Sequence, residues 1–228
     1  MQTLFLLHGA IGAADQLQPL AESLKAHYTV HTLDFSGHGG REMPAEPFSI
    51  ERFAADVLQE MAAKQLEKIS VFGYSMGGYV AMYLAKHHPG KIDRLVTLAT
   101  KFHWDEATAA KEVQMVDADK ITRKIPAFAE TLEKRHAPND WKLVMQRTGD
   151  MLAALGKQNA LQAGDYTEIT HPSLVMLGDR DKMVTLDETL AVYKSLPNAQ
   201  LAVLPGTGHP IEQADAEMLA CFIRRFVG

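Results

Sequence analysis

Short runs that are mainly apolar on both faces alternate along the chain with longer stretches in which apolar residues recur at helical spacing. The runs are brief and are bounded by turn residues, as expected for parallel strands that are covered on both faces. Six segments have this character: Thr3–Leu7, Tyr28–Asp34, Ile69–Phe72, Leu95–Ala99, Ser173–Leu177 and Leu201–Leu204. We therefore predict a strand at each of them.

The stretches between these runs have the pattern of amphipathic helices, with apolar residues at positions i, i+3, i+4 and i+7. Three groups show it most clearly: Leu17, Leu20, Ala21 and Leu24; Ile50, Phe53, Ala54, Val57, Leu58 and Met61; and Leu219, Phe222, Ile223 and Phe226. Ser49 precedes the second group and is a favourable helix N-cap. The alternation of strands and helices predicts an α/β fold with a mainly parallel sheet.

One region departs from this alternation. Between Phe102 and Asp165 no convincing strand occurs, and charged and apolar residues mix at helical spacing. We predict a core formed by residues 1–101 and 166–228, with a helical lid at 102–165 inserted between two of its strands. Five large apolar side chains of the insertion could line an acyl pocket or form the lid's own core: Trp104, Phe128, Trp141, Met145 and Met151.

Composition and charge narrow the function classes. The chain has 228 residues, of which 46% are hydrophobic and 22% charged, as in a globular domain with an insertion. The formal net charge of -5 provides no basic footprint for a nucleic-acid backbone. Cys221 is the single cysteine, which excludes an intramolecular disulfide, and its place between Leu219 and Phe222 predicts a buried side chain.

The first apolar run is too short for a secretory signal. Leu4–Leu7 is followed at once by His8-Gly9, whereas a signal needs an apolar run of about 7–15 residues. No segment approaches the roughly 20 apolar residues of a membrane helix. We expect a cytoplasmic protein with no membrane span and a small-molecule substrate; its oligomeric state stays open.

The strongest candidate for chemistry is the segment Gly73-Tyr74-Ser75-Met76-Gly77-Gly78. It follows a predicted strand and precedes a helical pattern, which is the context of a nucleophile elbow. The sharp turn brings backbone atoms together and so requires glycine at positions 73 and 77. A glycine-rich turn without chemistry is the alternative interpretation.

A serine hydroxyl is a weak nucleophile and needs a general base. His209 is the best placed of the ten histidines, because it lies in the loop Pro205-Gly206-Thr207-Gly208-His209 after the last predicted strand. The carboxyl ends of strands are where open α/β sheets bind their ligands. We therefore predict that His209 is the base that activates Ser75.

The histidine in turn needs a carboxylate that fixes its tautomer. Two candidates occur in Gly178-Asp179-Arg180-Asp181, after the fifth predicted strand. We choose Asp181, because Asp179 is near enough to the strand to brace the turn or to pair with Arg180.

An acyl-transfer site also needs donors for an oxyanion. The loop His8-Gly9-Ala10 follows the first predicted strand and could supply the backbone N–H of Ala10. Met76, directly after the serine, could supply a second N–H. His8 is then expected to hydrogen-bond the loop rather than to act as a base.

In this order the segments resemble the α/β-hydrolase superfamily, in its compact, lid-bearing, esterase-like branch. The resemblance runs over nearly the whole chain: His8-Gly9, Asp34-Phe35-Ser36-Gly37-His38-Gly39, Gly73-Tyr74-Ser75-Met76-Gly77-Gly78, Gly178-Asp179-Arg180-Asp181 and Gly208-His209. It implies a three-layer fold, a triad of Ser75, Asp181 and His209, and oxyanion donors at Ala10 and Met76, with no metal or organic cofactor. Relatives commonly have further strands ahead of the first one, so we expect a reduced sheet of about six strands.

The resemblance implies a serine hydrolase that cleaves a small or medium ester-like substrate through a covalent acyl-enzyme. A lyase or carbon–carbon hydrolase is the alternative, because the Ser75 motif is similar to that of the menaquinone-pathway lyases of this fold. Those enzymes typically have an arginine where Tyr79 stands here, although Arg123 or Arg147 could face the pocket instead. A non-catalytic ligand-binding protein that kept the fold is the remaining possibility.

Overall fold

The computed structural model describes residues 1–228. It is built around a single sheet of six parallel strands. The strands are β1 (Thr3–Leu7), β2 (Thr29–Leu33), β3 (Ile69–Tyr74), β4 (Ile92–Leu98), β5 (Ser173–Gly178) and β6 (Ala199–Leu204). Their order across the sheet is β2-β1-β3-β4-β5-β6, and every neighbouring pair is parallel. The six predicted strands are confirmed, and their ends differ from the prediction by at most three residues.

Nine α-helices connect and cover the strands. They are α1 (Gln18–Leu24), α2 (Ile50–Ala63), α3 (Met76–His87), α4 (Glu106–Met115), α5 (Ala118–Lys124), α6 (Pro126–His136), α7 (Trp141–Lys157), α8 (Leu186–Ser195) and α9 (Ala216–Val227). The expected cap of α2 is present, since the side chain of Ser49 accepts a hydrogen bond from the N–H of Arg52. Short 3-10 turns occur at Ala14–Leu17, Pro89–Lys91, Ala163–Glu168 and Ile211–Gln213.

The sheet separates two apolar cores, because successive side chains of a strand point to opposite faces. In β1, Leu4 and Leu6 pack with residues of α1 and α9, whereas Phe5 and Leu7 pack with residues of α2 and α3. Helices therefore cover both faces of the sheet, and the predicted three-layer α/β architecture is confirmed.

The expectation that every strand is covered on both faces is wrong for the two edge strands. The central strands β3 and β5 are buried throughout, but β2 and β6 contain half-buried and exposed residues. An edge strand has a neighbour on one side only, so its side chains are less completely covered.

Helices α4 to α7 lie between β4 and β5 in the chain and contact one another. We refer to residues 102–165 as the inserted segment. Its apolar residues belong to the same core as α2 and α3, including Leu132, Val144 and Met145 at 0% exposure. The inserted segment is thus packed on the core through this shared apolar cluster.

Cys221 corrects a prediction, because its side chain is exposed. The buried face of α9 consists of Leu219, Ala220, Ile223, Phe226 and Val227. Cys221 faces away from the core because successive residues of a helix are rotated by about 100°. None of the nine helices has the length and apolar character needed to cross a membrane.

Candidate active site

Ser75 lies at the turn between β3 and α3 in a strained backbone conformation. Its φ of 52° and ψ of -118° are unusual for a residue with a side chain. The turn is tight: a β-carbon at Gly73 would lie 2.4 Å from the carbonyl oxygen of Gly77, and one at Gly77 would lie 2.4 Å from the carbonyl oxygen of Leu7. The glycines expected at these two positions are therefore required by close approach of the backbone.

His209 lies within reach of this serine. The Oγ of Ser75 is 3.4 Å from Nε2 of His209, at the long end of hydrogen bonding, which is common in active sites before a substrate binds. The loop from β6 to α9 carries His209 and turns at Gly206, whose φ is +66°. The two residues are 134 positions apart in the chain and meet at the carboxyl edge of the parallel sheet.

Asp181 completes a line of three side chains. Nδ1 of His209 is 2.9 Å from Oδ2 of Asp181, whose side chain is fully buried. The other oxygen, Oδ1, accepts hydrogen bonds from the N–H groups of Met183 at 2.8 Å and Val184 at 2.9 Å. Burial alone would raise the pKa of Asp181, but the hydrogen bonds from His209 and the backbone outweigh it and lower the pKa below its usual value.

Asp179 has a different environment, as the sequence predicted. Its Oδ1 accepts from the N–H of Thr207 at 3.2 Å, and its Oδ2 lies 3.8 Å from Nε of Arg180. Asp179 therefore links the loop after β5 to the loop that carries His209. It makes no hydrogen bond to His209.

Two backbone N–H groups lie close to Ser75 in the structure. Met76 is the first residue of α3, so its N–H has no acceptor within the helix. Ala10 lies in the loop after β1, and its N–H donates to no acceptor in the chain. Gly9 brings this loop against the elbow, because a β-carbon there would lie 3.4 Å from Cβ of Ser75.

His8 is buried and supports this loop, as expected. The N–H of Phe35 donates to Nε2 at 3.2 Å, so the proton is on Nδ1, which donates to the carbonyl oxygen of Gly9 at 2.7 Å. Burial, and secondarily the nearby His38, lower the pKa of His8 well below its usual value. A neutral ring with both nitrogens occupied cannot serve as the base for Ser75.

Two further histidines contact the same loop. Nε2 of His38 donates to the carbonyl oxygen of Ala10 at 2.8 Å, and Nε2 of His136 lies 3.3 Å from that of Ile11. In the sequence, His38 is notable only as part of its glycine-rich motif, and His136 belongs to no motif. Local sequence contains no signal for His136, because its partners are about 100 residues or more away.

Ser75 and His209 open onto a cavity of about 370 Å³ beneath the inserted segment. Apolar side chains of that segment line it, among them Trp104, Ile121, Phe128, Met151, Leu152 and Leu155. Of the five side chains expected either to line a pocket or to form the lid's own core, Trp141 and Met145 are buried and do not line the cavity. They belong to the apolar core that the inserted segment shares with α2 and α3.

Few charges border the cavity, and they occur as compensated pairs. Nζ of Lys101 lies 3.6 Å from Glu112 and donates to the carbonyl oxygen of Met183 at 2.7 Å. Nη2 of Arg135 lies 3.8 Å from Glu212. No cluster of three or more His, Cys, Asp or Glu side chains has an arrangement that could hold a metal ion.

A doubly covered parallel sheet with a serine elbow at its carboxyl edge defines a class of protein. Residues 2–211 match the family described as the alpha/beta hydrolase fold, and the chain belongs to that family.

Individual relatives are more distant. A pimeloyl-[acyl-carrier protein] methyl ester esterase of Neisseria meningitidis serogroup C is 26% identical, over 100% of this chain and 94% of that enzyme. Esterase YbfF of Escherichia coli is 25% identical, over 97% of this chain and 91% of that protein. The crystal structure of a hydrolase from Pseudomonas aeruginosa PA01 has a TM-score of 0.82 at 20% identity and covers 100% of this chain and 90% of that one.

Proposed function

We propose that this protein is a serine hydrolase that cleaves an ester bond of a small or medium substrate with an apolar acyl group. The observation that carries the proposal is the hydrogen-bonded line Ser75–His209–Asp181, which opens onto an apolar cavity. The two sequence relatives described above are named as esterases, which supports the same bond type.

In the proposed first half-reaction, Oγ of Ser75 attacks the ester carbonyl carbon while Nε2 of His209 takes the hydroxyl proton. The carbonyl electron pair moves onto oxygen, and the N–H groups of Ala10 and Met76 stabilise that oxyanion. Asp181 stabilises the imidazolium and keeps the ring in place. The tetrahedral centre then collapses, and the alcohol leaves with the proton from His209.

In the second half-reaction, His209 takes a proton from water, whose oxygen attacks the acyl carbon. A second oxyanion forms in the same site, and its collapse breaks the bond to Ser75, which regains its proton from His209. The products are an acid and an alcohol. All proton transfers use side chains of the chain itself.

The cavity favours an uncharged acyl group. Its charged lining residues are Lys101, Glu112, Arg135 and Glu212, and each cation lies beside a carboxylate. The inserted segment supplies the apolar wall, and we propose that residues 102–165 act as a lid over Ser75.

The structure offers no support for the lyase alternative. The hydroxyl of Tyr79 accepts from the N–H of Leu161 at 3.0 Å, so it is occupied by the backbone. Arg123 is exposed, and Arg147 donates to the carbonyl oxygen of Glu46 at 3.2 Å; neither lines the cavity. A carboxylate-rich substrate would therefore meet no uncompensated arginine there.

A panel of short and medium p-nitrophenyl esters, assayed with the wild type and Ser75→Ala, tests the proposal. The wild type should hydrolyse the esters, and Ser75→Ala should lose roughly 10⁴-fold or more of kcat with an unchanged circular dichroism spectrum. A fluorophosphonate probe should label the wild type only, because Oγ displaces fluoride from phosphorus. Equal turnover by the two proteins would exclude Ser75 as the nucleophile.

A further inference from the structure

The loop after β1, residues 9–12, is held by buried histidines through three consecutive carbonyl groups. His8 donates to the carbonyl oxygen of Gly9, His38 to that of Ala10, and His136 to that of Ile11. All three side chains have 0% exposure. The third histidine belongs to α6 of the inserted segment, whereas the other two belong to the core.

The orientation of each ring nitrogen of His136 follows from its partners. The N–H of Gly39 donates to Nδ1 at 3.3 Å, so Nδ1 carries no proton. Nε2 therefore carries the proton and donates to Ile11 at 3.3 Å. Replacing this ring by a group without a donor leaves the Ile11 carbonyl without its partner.

Two peptide groups connect His136 to the oxyanion donor. The Ile11 carbonyl and the Gly12 N–H belong to one planar peptide group, and that N–H donates to the carbonyl oxygen of Gly9 at 3.1 Å. The Gly9 carbonyl and the Ala10 N–H form the next group in this series, and its peptide bond is trans. In a trans peptide group the C=O and the N–H point in opposite directions. The Ala10 N–H therefore points away from the Gly9 carbonyl oxygen, which accepts hydrogen bonds from Gly12 and His8.

The end of α6 is docked firmly on the core. Nε of Arg135 lies 3.3 Å from a carboxylate oxygen of Asp15, and Nδ2 of Asn139 donates to the carbonyl oxygens of Gly37 at 3.2 Å and Arg41 at 2.7 Å. A β-carbon at Gly40 would lie 2.6 Å from the carbonyl oxygen of Ala137. These contacts flank His136 in the chain and hold its side chain in place against residues 9–12.

We propose that His136 is a positioning residue of the oxyanion hole, through which the inserted segment sets the direction of the Ala10 N–H. The inference rests on the proposed function, since an oxyanion forms only if Ser75 adds to a carbonyl group. His136 touches no reacting atom. It acts through Ile11, Gly12 and Gly9, so its effect belongs to the transition state rather than to substrate binding.

The first test compares His136→Phe with Leu132→Ala by steady-state ester hydrolysis. Leu132 lies one turn earlier in α6, also has 0% exposure and does not line the cavity. His136→Phe should lower kcat by roughly 10-fold to 100-fold, part of what loss of an entire oxyanion donor costs, with KM changed by less than about two-fold. Leu132→Ala should lower the thermal midpoint and leave kcat near that of the wild type.

A trifluoromethyl ketone supplies a readout that a merely structural role would not change. Oγ of Ser75 adds to its carbonyl carbon, the hydroxyl proton passes to His209, and the carbonyl electron pair becomes an oxyanion in the site. Its inhibition constant should rise in His136→Phe by the same factor by which kcat/KM falls, whereas binding of the methyl ketone, which does not form this adduct readily, should not change.

The outcomes separate the two proposals. If the wild type neither hydrolyses esters nor binds the trifluoromethyl ketone, the proposed function is wrong. If the wild type does both, but His136→Phe matches the wild type or only matches Leu132→Ala, the positioning role is wrong. Should His136→Phe not fold, His136→Asn, whose shorter amide cannot reach both Gly39 and Ile11, is compared by the same criteria.

Discussion

Two aspartates separated by a single residue show how closely the surroundings of a side chain define its role. The side chain of Asp181 is fully buried and its two oxygens are engaged by His209 and by the backbone. The side chain of Asp179 is 39% exposed and holds the N–H of Thr207. Both follow the same strand, so their position in the motif favours Asp181 as the partner of His209 but does not decide between the two.

Replacing Asp181 by asparagine should separate its electrostatic role from its structural one. The amide oxygen of Asp181→Asn can still accept from the N–H groups of Met183 and Val184, so we expect the fold to be kept. The amide nitrogen cannot accept from Nδ1 of His209, and kcat should fall by about 10⁴-fold. Ester kinetics with a thermal melt of each variant provide the measurement.

Asp179→Asn is the matched control for this substitution. It keeps an oxygen for the Thr207 N–H and touches no atom of the proposed triad, so we expect kcat within a few-fold of the wild type. If Asp179→Asn were the more damaging of the two, the carboxylate assigned to His209 would have to be exchanged.

At the scale of elements, the close contact between β1 and α3 brings together the two segments that carry the proposed oxyanion donors. The proposed donor after β1 is Ala10 and the proposed donor at the start of α3 is Met76, so the distance between these elements determines whether both N–H groups can serve one oxygen. Gly77 permits the contact, because a β-carbon there would lie too close to the carbonyl oxygens of Leu7 and His8.

Gly77→Ala should therefore destabilise the protein even though alanine favours helices. The added methyl group would lie 2.4 Å from one backbone oxygen and 2.7 Å from another, and neither can move without displacing β1. We expect a loss of about 3 kcal/mol in the free energy of unfolding, measured by urea denaturation.

Gly90→Ala is the control at this scale. No atom lies within 4 Å of a β-carbon at Gly90, and its substitution should change the free energy of unfolding by less than about 0.5 kcal/mol. Equal losses in the two variants would mean that glycine content, rather than contact with β1, explains the result.

At the scale of the whole molecule, buried titratable side chains of the inserted segment and of the core lie against one another, as His136 and His38 do. Burial, and secondarily the neighbouring His38, lower the pKa of His136 to about 4, against the opposing hydrogen bond to Ile11. Arg135 lowers the pKa further and Asp15 raises it. The ring is thus neutral in the folded protein at neutral pH, as its bonding to Gly39 and Ile11 requires.

Acid should therefore weaken the folded state through this interface. In the unfolded chain His136 has its ordinary pKa of 6.5, so the unfolded state binds the proton first as the pH falls. The contribution of His136 is complete above pH 6.5 and is lost as the pH falls towards 4, by about 3 kcal/mol over that window. Urea unfolding of the wild type at a series of pH values measures it.

His136→Asn supplies the reference curve, because asparagine does not titrate. The difference in free energy of unfolding between the wild type and this variant should shrink as the pH falls from 6.5 to 4. Parallel curves through this window would show that His136 contributes no proton linkage to folding.

Much of the fold and most of the candidate site could be predicted from the sequence. The strands were recognisable because a buried parallel strand is apolar on both faces, and this pattern is local. The elbow at Ser75 and the loops carrying Asp181 and His209 were recognisable because sharp turns at strand ends require glycine. Each of these signals lies within a short segment, and the order of the segments along the chain was sufficient to predict the fold class and the candidate site.

Other features depended on contacts between distant segments. An amphipathic pattern shows that a helix has an apolar face, but not what that face covers. The sequence therefore does not distinguish Trp104, which lines the cavity in the structure, from Trp141, which is buried away from it. The outward direction of Cys221 and the place of His136 above Ile11 have the same origin. Side-chain partners across about 100 residues are decided by packing, and only the tertiary structure contains that information.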